Sequence, residues 1–187
     1  MSLEHLRLAA FCAYLAAWVV FAIGAVVSLI PQVQKLAASP LHLKAPVVIG
    51  TLLQIASIMT ITLFLSDGPL RPKPLALVGV VALAPFAAAL FVWALRSAPR
   101  NAGPEILVTR GVYAWIRHPI YLAFLAMLLA TGLLASAGPR LAIAIVIYLA
   151  GAELRIASEE EELAERFQAE YKQYRLRTRW RYLPGLR

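Results

Sequence analysis

LAAFCAYLAAWVVFAIGAVVSLI, residues Leu8 to Ile30, holds no Asp, Glu, Lys, Arg or His. The hydrocarbon core of a bilayer is roughly 30 Å thick and takes about 20 apolar residues at helical rise, so this stretch reads as a membrane-spanning helix. It is longer than the apolar region of a secretory signal, and no small-residue cleavage site follows it. The rest of the chain has the same character: of 187 residues 61% are hydrophobic and 15% charged, with a mean hydropathy of +0.72. Those values exclude a soluble globular surface and a disordered chain. The 10 glycines show no period, which excludes collagen and a flexible linker. The single cysteine, Cys12, lies inside the first apolar stretch, so an internal disulfide and a cysteine-built metal cage are both excluded. Cys12 is expected to face lipid or to fill packing volume, and no metal site is expected.

Four further segments satisfy or approach the same length requirement: Ala45 to Leu65, Leu75 to Leu95, Pro119 to Ala135, and Arg140 to about Ile156. The last two are joined only by Ser136-Ala137-Gly138-Pro139, which predicts a tight helical hairpin, and the fifth ends in Glu153 and Arg155. Pro31, Pro40, Gly68-Pro69, Pro72, Pro74 and Gly103-Pro104 are read as breakers in the connections. Expected, then, is an all-α integral membrane protein of about five transmembrane helices with a cytoplasmic amphipathic C-terminal helix. It is read as one membrane domain over residues 1–187, with three spans in residues 1–96 and two spans plus the C-terminal helix in residues 97–187.

Lys and Arg beside the spans set the orientation, because basic loops stay cytoplasmic. Five spans put the 31–44 loop, the 96–118 loop and the C-terminal tail on one side, with 14 of the 18 Lys and Arg residues. The expectation is a bacterial inner-membrane protein with its C-terminus and active site cytoplasmic and its N-terminus outside. A net charge of +8 fits that distribution without a nucleic-acid platform. Membrane lipids are the expected partner of the tail, through Lys172, Arg175, Arg177, Arg179 and Arg181.

Polar residues within spans are costly unless partnered or functional. Thr51, Gln54, Ser57 and Thr60 recur every three residues on the second span; hydrogen-bonding glue between helices is the favoured reading over a substrate groove. Ala9, Ala13 and Ala17 make a small-residue seam, and Pro85 is expected to kink the third span.

Two clusters carry chemistry. The first is Thr109-Arg110-Gly111-Val112-Tyr113-Ala114-Trp115-Ile116-Arg117-His118-Pro119-Ile120-Tyr121, at the mouth of the fourth span. Pro119 suits the first helical turn, whose free N–H groups attract an anion. Arg117 pairs with anions bidentately, His118 donates or accepts, and Tyr113 and Tyr121 offer flat faces with a polar tip. A belt of interfacial anchors remains the equal alternative. The second cluster is acidic: Glu153, Glu159, Glu160, Glu161, Glu162, Glu165 and Glu170 are seven of the ten Asp and Glu residues. Helical pairs Arg155 with Glu159 and Glu162 with Arg166 are one use for it; an ammonium group or ribose hydroxyls are another. Leu163, Phe167, Tyr171 and Tyr174 then form an apolar stripe, fit to lie on the membrane or to fold back as a lid.

These motifs resemble the integral-membrane methyltransferases of the isoprenylcysteine carboxyl methyltransferase and phospholipid methyltransferase superfamily. The resemblance rests on Gly111, Tyr113, Arg117, His118, Pro119 and Tyr121, then on Glu159, Glu160, Leu163, Phe167, Tyr171, Tyr174, Arg181 and Pro184. It covers Leu107 to Pro184, the first three spans matching only in being apolar. It implies S-adenosylmethionine as cofactor and a lipophilic acceptor: a prenylcysteine-like carboxylate, a phospholipid amine or a small hydrophobic thiol or amine. Carried over by position, Tyr113, His118, Pro119, Tyr121, Ala123, Glu159, Glu160 and Tyr171 bind the cofactor, while Arg117 lies nearest the acceptor and Arg117 and Glu160 are the catalytic pair. Val112, Ala123 and Gln168 depart from the family's proline and glycines, and either Arg179 or Arg181 is the family's arginine. An NADPH-dependent membrane reductase of sterol-reductase type and a non-enzymatic interaction protein are the competing readings.

Overall fold

The computed structural model describes residues 2–38, 44–63, 72–98, 106–182 and 185, and of residues 25 and 27–38 the backbone alone. Pro40, Gly68-Pro69, Gly103-Pro104 and Pro184 of the sequence reading lie outside them. Five α-helices follow in order: α1 (Leu3–Ala38), α2 (Ala45–Thr62), α3 (Pro74–Ser97), α4 (Pro119–Leu134) and α5 (Pro139–Arg177), with a 3-10 turn at Gly111–Ala114 ahead of α4. The protein is an all-α integral membrane protein. α1 as far as Gly24, α2, α3 and α5 are long and apolar enough to cross a membrane, and α4 is a shorter apolar helix.

Two boundaries differ from expectation. α1 runs through Pro31 to Ala38; one missing N–H does not end a helix that stays within a membrane protein. α3 holds Pro85 in its interior, as the sequence placed it. The fifth span and the C-terminal amphipathic helix are one element, 39 residues long, or about 58 Å at helical rise. Its spanning part needs only about 20 residues, so the part beyond Ile156 projects from the bilayer. That projection breaks once, at Gln168, whose φ of 41° and ψ of −109° are non-helical.

α4 is the central helix, and it is apolar on both faces. One face packs on α1 and α3 through Ala123, Ala126, Met127 and Ala130 against Ala17, Phe21, Ala87 and Phe91. Phe21 stacks on Phe91 at 4.4 Å between ring centroids, and Phe124 meets both edge-on. The α1 seam on this face is Ala10, Ala17 and Phe21 rather than Ala9, a register one residue along. The other face of α4 carries Tyr121, Leu125 and Leu128 against Ala144, Tyr148 and Ala152 of α5 and Ile61 of α2. Cys12 is exposed on the outer side of α1, where lipid would lie.

α2 and α5 cross backbone to backbone. A Cβ added to Gly50 would sit 2.6 Å from the Gly151 carbonyl oxygen, and one added to Gly151 would sit 2.6 Å from that of Gly50. One turn further on each helix stand Gln54 and Arg155, and Arg155 Nη1 donates to Gln54 Oε1 at 2.9 Å. Two glycines thus bring a cation from α5 against an amide on a membrane span.

Candidate active site

The approach to α4 is built by the loop 106–118. Gly111 has a φ of +65°, and a Cβ there would overlap Ser97 Oγ at 2.1 Å; glycine alone fits both conditions. The Val112 N–H points to that same Ser97 oxygen at 3.4 Å. The turn then hands the chain to Ile116, which pairs with Trp180 in a single parallel bridge. Arg117 N–H donates to Trp180 O at 3.0 Å and His118 N–H to Arg181 O at 2.7 Å. His118 caps α4, and Pro119 opens its first turn.

The side chains of this loop converge on the two glutamates. Arg117 Nε donates to Glu160 Oε1 at 3.0 Å, and Nη1 donates to the carbonyls of Thr178 at 2.7 Å and Arg179 at 3.1 Å. His118 lies between the carboxylates, Nε2 at 3.3 Å from Glu160 and Nδ1 at 3.4 Å from Glu159. Tyr121 Oη donates to Glu159 Oε1. Arg181 bonds Glu153 at 2.6 Å and reaches Glu160 Oε2 at 3.5 Å. Arg181, then, is the arginine that closes the site, and Arg179 contributes its carbonyl.

Electrostatics follow from this geometry. Burial on its own would raise the Glu160 carboxyl, but the His118 hydrogen bond and the Arg117 and Arg181 charges hold it at about 2. Burial on its own would lower His118, and the hydrogen bonds and charges of Glu159 and Glu160 together raise it above 6.5. The two carboxylates therefore favour the charged form of the His118 ring. Glu160 has cations on both oxygens. Glu159 is 40% exposed and keeps carboxylate capacity for a ligand.

A cavity of about 380 Å³ opens beneath this cluster, between Trp18 of α1, Thr51, Gln54 and Ile58 of α2, the Tyr121 to Thr131 face of α4, and Tyr148, Arg155 and Glu159 of α5. Its walls are apolar, and its polar groups gather at one end. There Arg155 lies 5.4 Å over the Tyr121 ring and 3.9 Å from Glu159, with its Nε buried and unpartnered. Tyr148 Oη donates to the Tyr121 carbonyl at 2.7 Å. At the far end Tyr14 and Thr131 share a hydrogen bond of 3.1 Å. On α2, Thr51 and Gln54 line the cavity, while Ser57 and Thr60 bond their own helix carbonyls. The stripe divides between groove and helix self-bonding.

His118, Pro119, Tyr121, Glu159, Glu160 and Arg117 thus come together as the motifs predict. Tyr171 and Tyr174 arrive by a fold-back: eleven residues along a straight helix would separate Tyr171 from Glu160 by about 16 Å, yet Tyr171 feels the charges of both Glu160 and Arg117. The Gln168 break reverses the chain, and Tyr174 Oη donates to Tyr113 O at 2.7 Å, with Thr178 Oγ1 on Ala114 O at 3.2 Å. The apolar stripe is a lid. Tyr113 enters through its carbonyl, and Ala123 is buried in the α1–α3 core, away from the cluster. Sequence reading missed Tyr148 and the cavity role of Arg155, and it favoured helix-to-helix glue over a groove for Gln54; Gly50 and Gly151, each one turn before a polar residue, were the available signal.

The site is thus an apolar cavity under a charged mouth. Residues 80–165 match the model of the isoprenylcysteine carboxyl methyltransferase (ICMT) family. The matched segment is 86 of the 187 residues. The match starts inside α3, so the third span shares more than apolarity, and it stops before Phe167. The chain is also 41% identical, over 76 residues, to the protein-S-isoprenylcysteine O-methyltransferase of Saccharomyces cerevisiae, a stretch covering 41% of this chain and 32% of that one. It spans about a third of that relative's length.

Proposed function

We propose that the chain is an S-adenosylmethionine-dependent methyltransferase acting on a lipophilic acceptor, with a prenylcysteine-like carboxylate as the preferred class. The observation that carries this is the apolar cavity ending at Arg155, Gln54 and Glu159 beside the His118 and Glu160 pair. An isoprenoid tail fits the walls, and the unpartnered Arg155 Nε suits the carboxylate.

The cofactor would supply an electrophilic methyl group. Glu159, with its exposed oxygen, suits the cofactor's amine or ribose, and Tyr121 holds Glu159 in place. Glu160 is committed to Arg117, His118 and Arg181, which makes Glu160 and Arg117 positioning residues that fix the loop to the lid. Arg155 orients the acceptor, and the apolar walls strip it of water. A carboxylate acceptor needs no general base.

We place one membrane domain in a bacterial inner membrane with the site cytoplasmic. A cysteine at Gln173 should resist an impermeant thiol reagent applied outside intact cells; ready labelling overturns the orientation. The functional test is calorimetric binding of S-adenosylmethionine and S-adenosylhomocysteine to purified protein, with NADPH as comparison, followed by methylation of an S-prenylated cysteine. Saturable adenosyl binding lost in Glu159→Ala, and a kcat/KM lowered about 100-fold in Arg155→Met by loss of a charged hydrogen bond, are expected. Binding of NADPH alone replaces this reading with a reductase.

A further inference from the structure

The fold-back of α5 encloses a second space, on the far side of Arg117 from the acceptor cavity. It measures about 510 Å³ and is lined by Arg117, Gln168, Tyr171, Lys172, Arg175 and Arg179 among others, without a carboxylate. Arg117 is committed to Glu160, but no carboxylate among the described residues pairs with Lys172, Arg175 or Arg179. Three cations converging without a counter-charge repel one another unless an anion joins them.

The hydroxyl of Tyr171, which lines the same space, is buried beside Glu160 and Arg117. Around the pocket Trp115, Leu176 and Trp180 are 67%, 70% and 42% exposed. Exposed tryptophans at a span end mark the headgroup level of a bilayer.

We propose that this crook binds a phosphate group, with the Lys172, Arg175 and Arg179 cations as its ligands, and that an anionic phospholipid headgroup supplies it. The site is separate from the acceptor cavity, because the Arg117 and Glu160 pair stands between them. An occupied crook neutralises the inner face of the lid and holds its two limbs together across Gln168.

The test uses the full chain in phosphatidylcholine nanodiscs. Native mass spectrometry after adding phosphatidylglycerol should show one lipid retained per chain. The double variant Lys172→Gln with Arg175→Gln should lose that lipid at least 10-fold, whereas Lys44→Gln with Lys73→Gln, which removes equal charge at exposed positions elsewhere, should keep it. Inorganic phosphate displacing the lipid at millimolar concentration would show that phosphate alone is recognised; lipid retained against phosphate would assign the headgroup. Equal loss in both double variants, or no retained lipid in the wild type, overturns the site. Circular dichroism of each variant keeps unfolding from being read as lost binding.

Discussion

Arg117 Nε meets Glu160 Oε1 at 3.0 Å across 43 residues of sequence, and the same guanidinium holds the carbonyls of Thr178 and Arg179. One buried cation joins the head of α4, the middle of α5 and the returning tail. The charged cluster is therefore also the clasp of the lid, and binding and closure rest on the same atoms.

Glu160→Gln should lower stability by about 2–4 kcal/mol, since removing one partner leaves a buried guanidinium without its counter-charge. The drop is expected in thermal unfolding in detergent, with trypsin cutting beyond Gln168 more readily than in the wild type. An unchanged melting temperature and unchanged proteolysis would remove the clasp.

Stability should peak between pH 4.5 and 6.5. Glu160 is held at about 2 against an ordinary 4.5, so its contribution is complete above 4.5 and lost as the pH falls towards 2. His118 is raised above 6.5, so its contribution is complete below 6.5 and lost as the pH rises through its folded value. His118→Gln should flatten the alkaline limb and shrink the acid limb without abolishing it, since Arg117 and Arg181 still hold Glu160 down. Melting curves across pH 3 to 9 check both, and an alkaline limb that persists in the variant refutes the assignment.

Gln168→Gly should raise stability by about 1 kcal/mol. A φ of 41° with ψ of −109° is the mirror image of an extended conformation, open to glycine and strained for glutamine. Gln168→Ala keeps the Cβ and should gain nothing. Equal effects of the two variants on the melting temperature would place the break elsewhere.

Thr131→Trp should shorten the acceptor that the cavity accepts. Thr131 and Tyr14 close its far end, so filling that end should leave kcat/KM for a short prenyl chain within about 3-fold and lower it at least 10-fold for a longer one. A series of S-alkylated cysteines of rising chain length reads this directly, and a uniform loss across the series would argue for misfolding.

The spans were legible because burial in lipid demands apolar runs, and Leu8 to Ile30 or Leu75 to Leu95 answer to nothing else. The motif residues were legible through resemblance, and the i, i+4 pair of Glu162 with Arg166 through helical spacing. The break at Gln168 was not, since glutamine carries no turn signal and the chain on both sides reads as helix. Nor was the cavity: Gln54 and Arg155 stand 101 residues apart, and only the crossing at Gly50 and Gly151 makes them neighbours. The pairing of His118 N–H with Arg181 O, which brings the tail to the start of α4, was not legible either.

α4 has 16 residues, a length of about 24 Å against a hydrocarbon layer of roughly 30 Å. A short helix facing lipid thins the bilayer, whereas one walled in by longer helices leaves its shortfall inside the protein. Here the loop and the charged cluster at the His118 end take up that length, between α1, α3 and α5. An amphiphile in the cavity would need no climb out of the membrane to present its polar head, because charged side chains continue where the short helix stops.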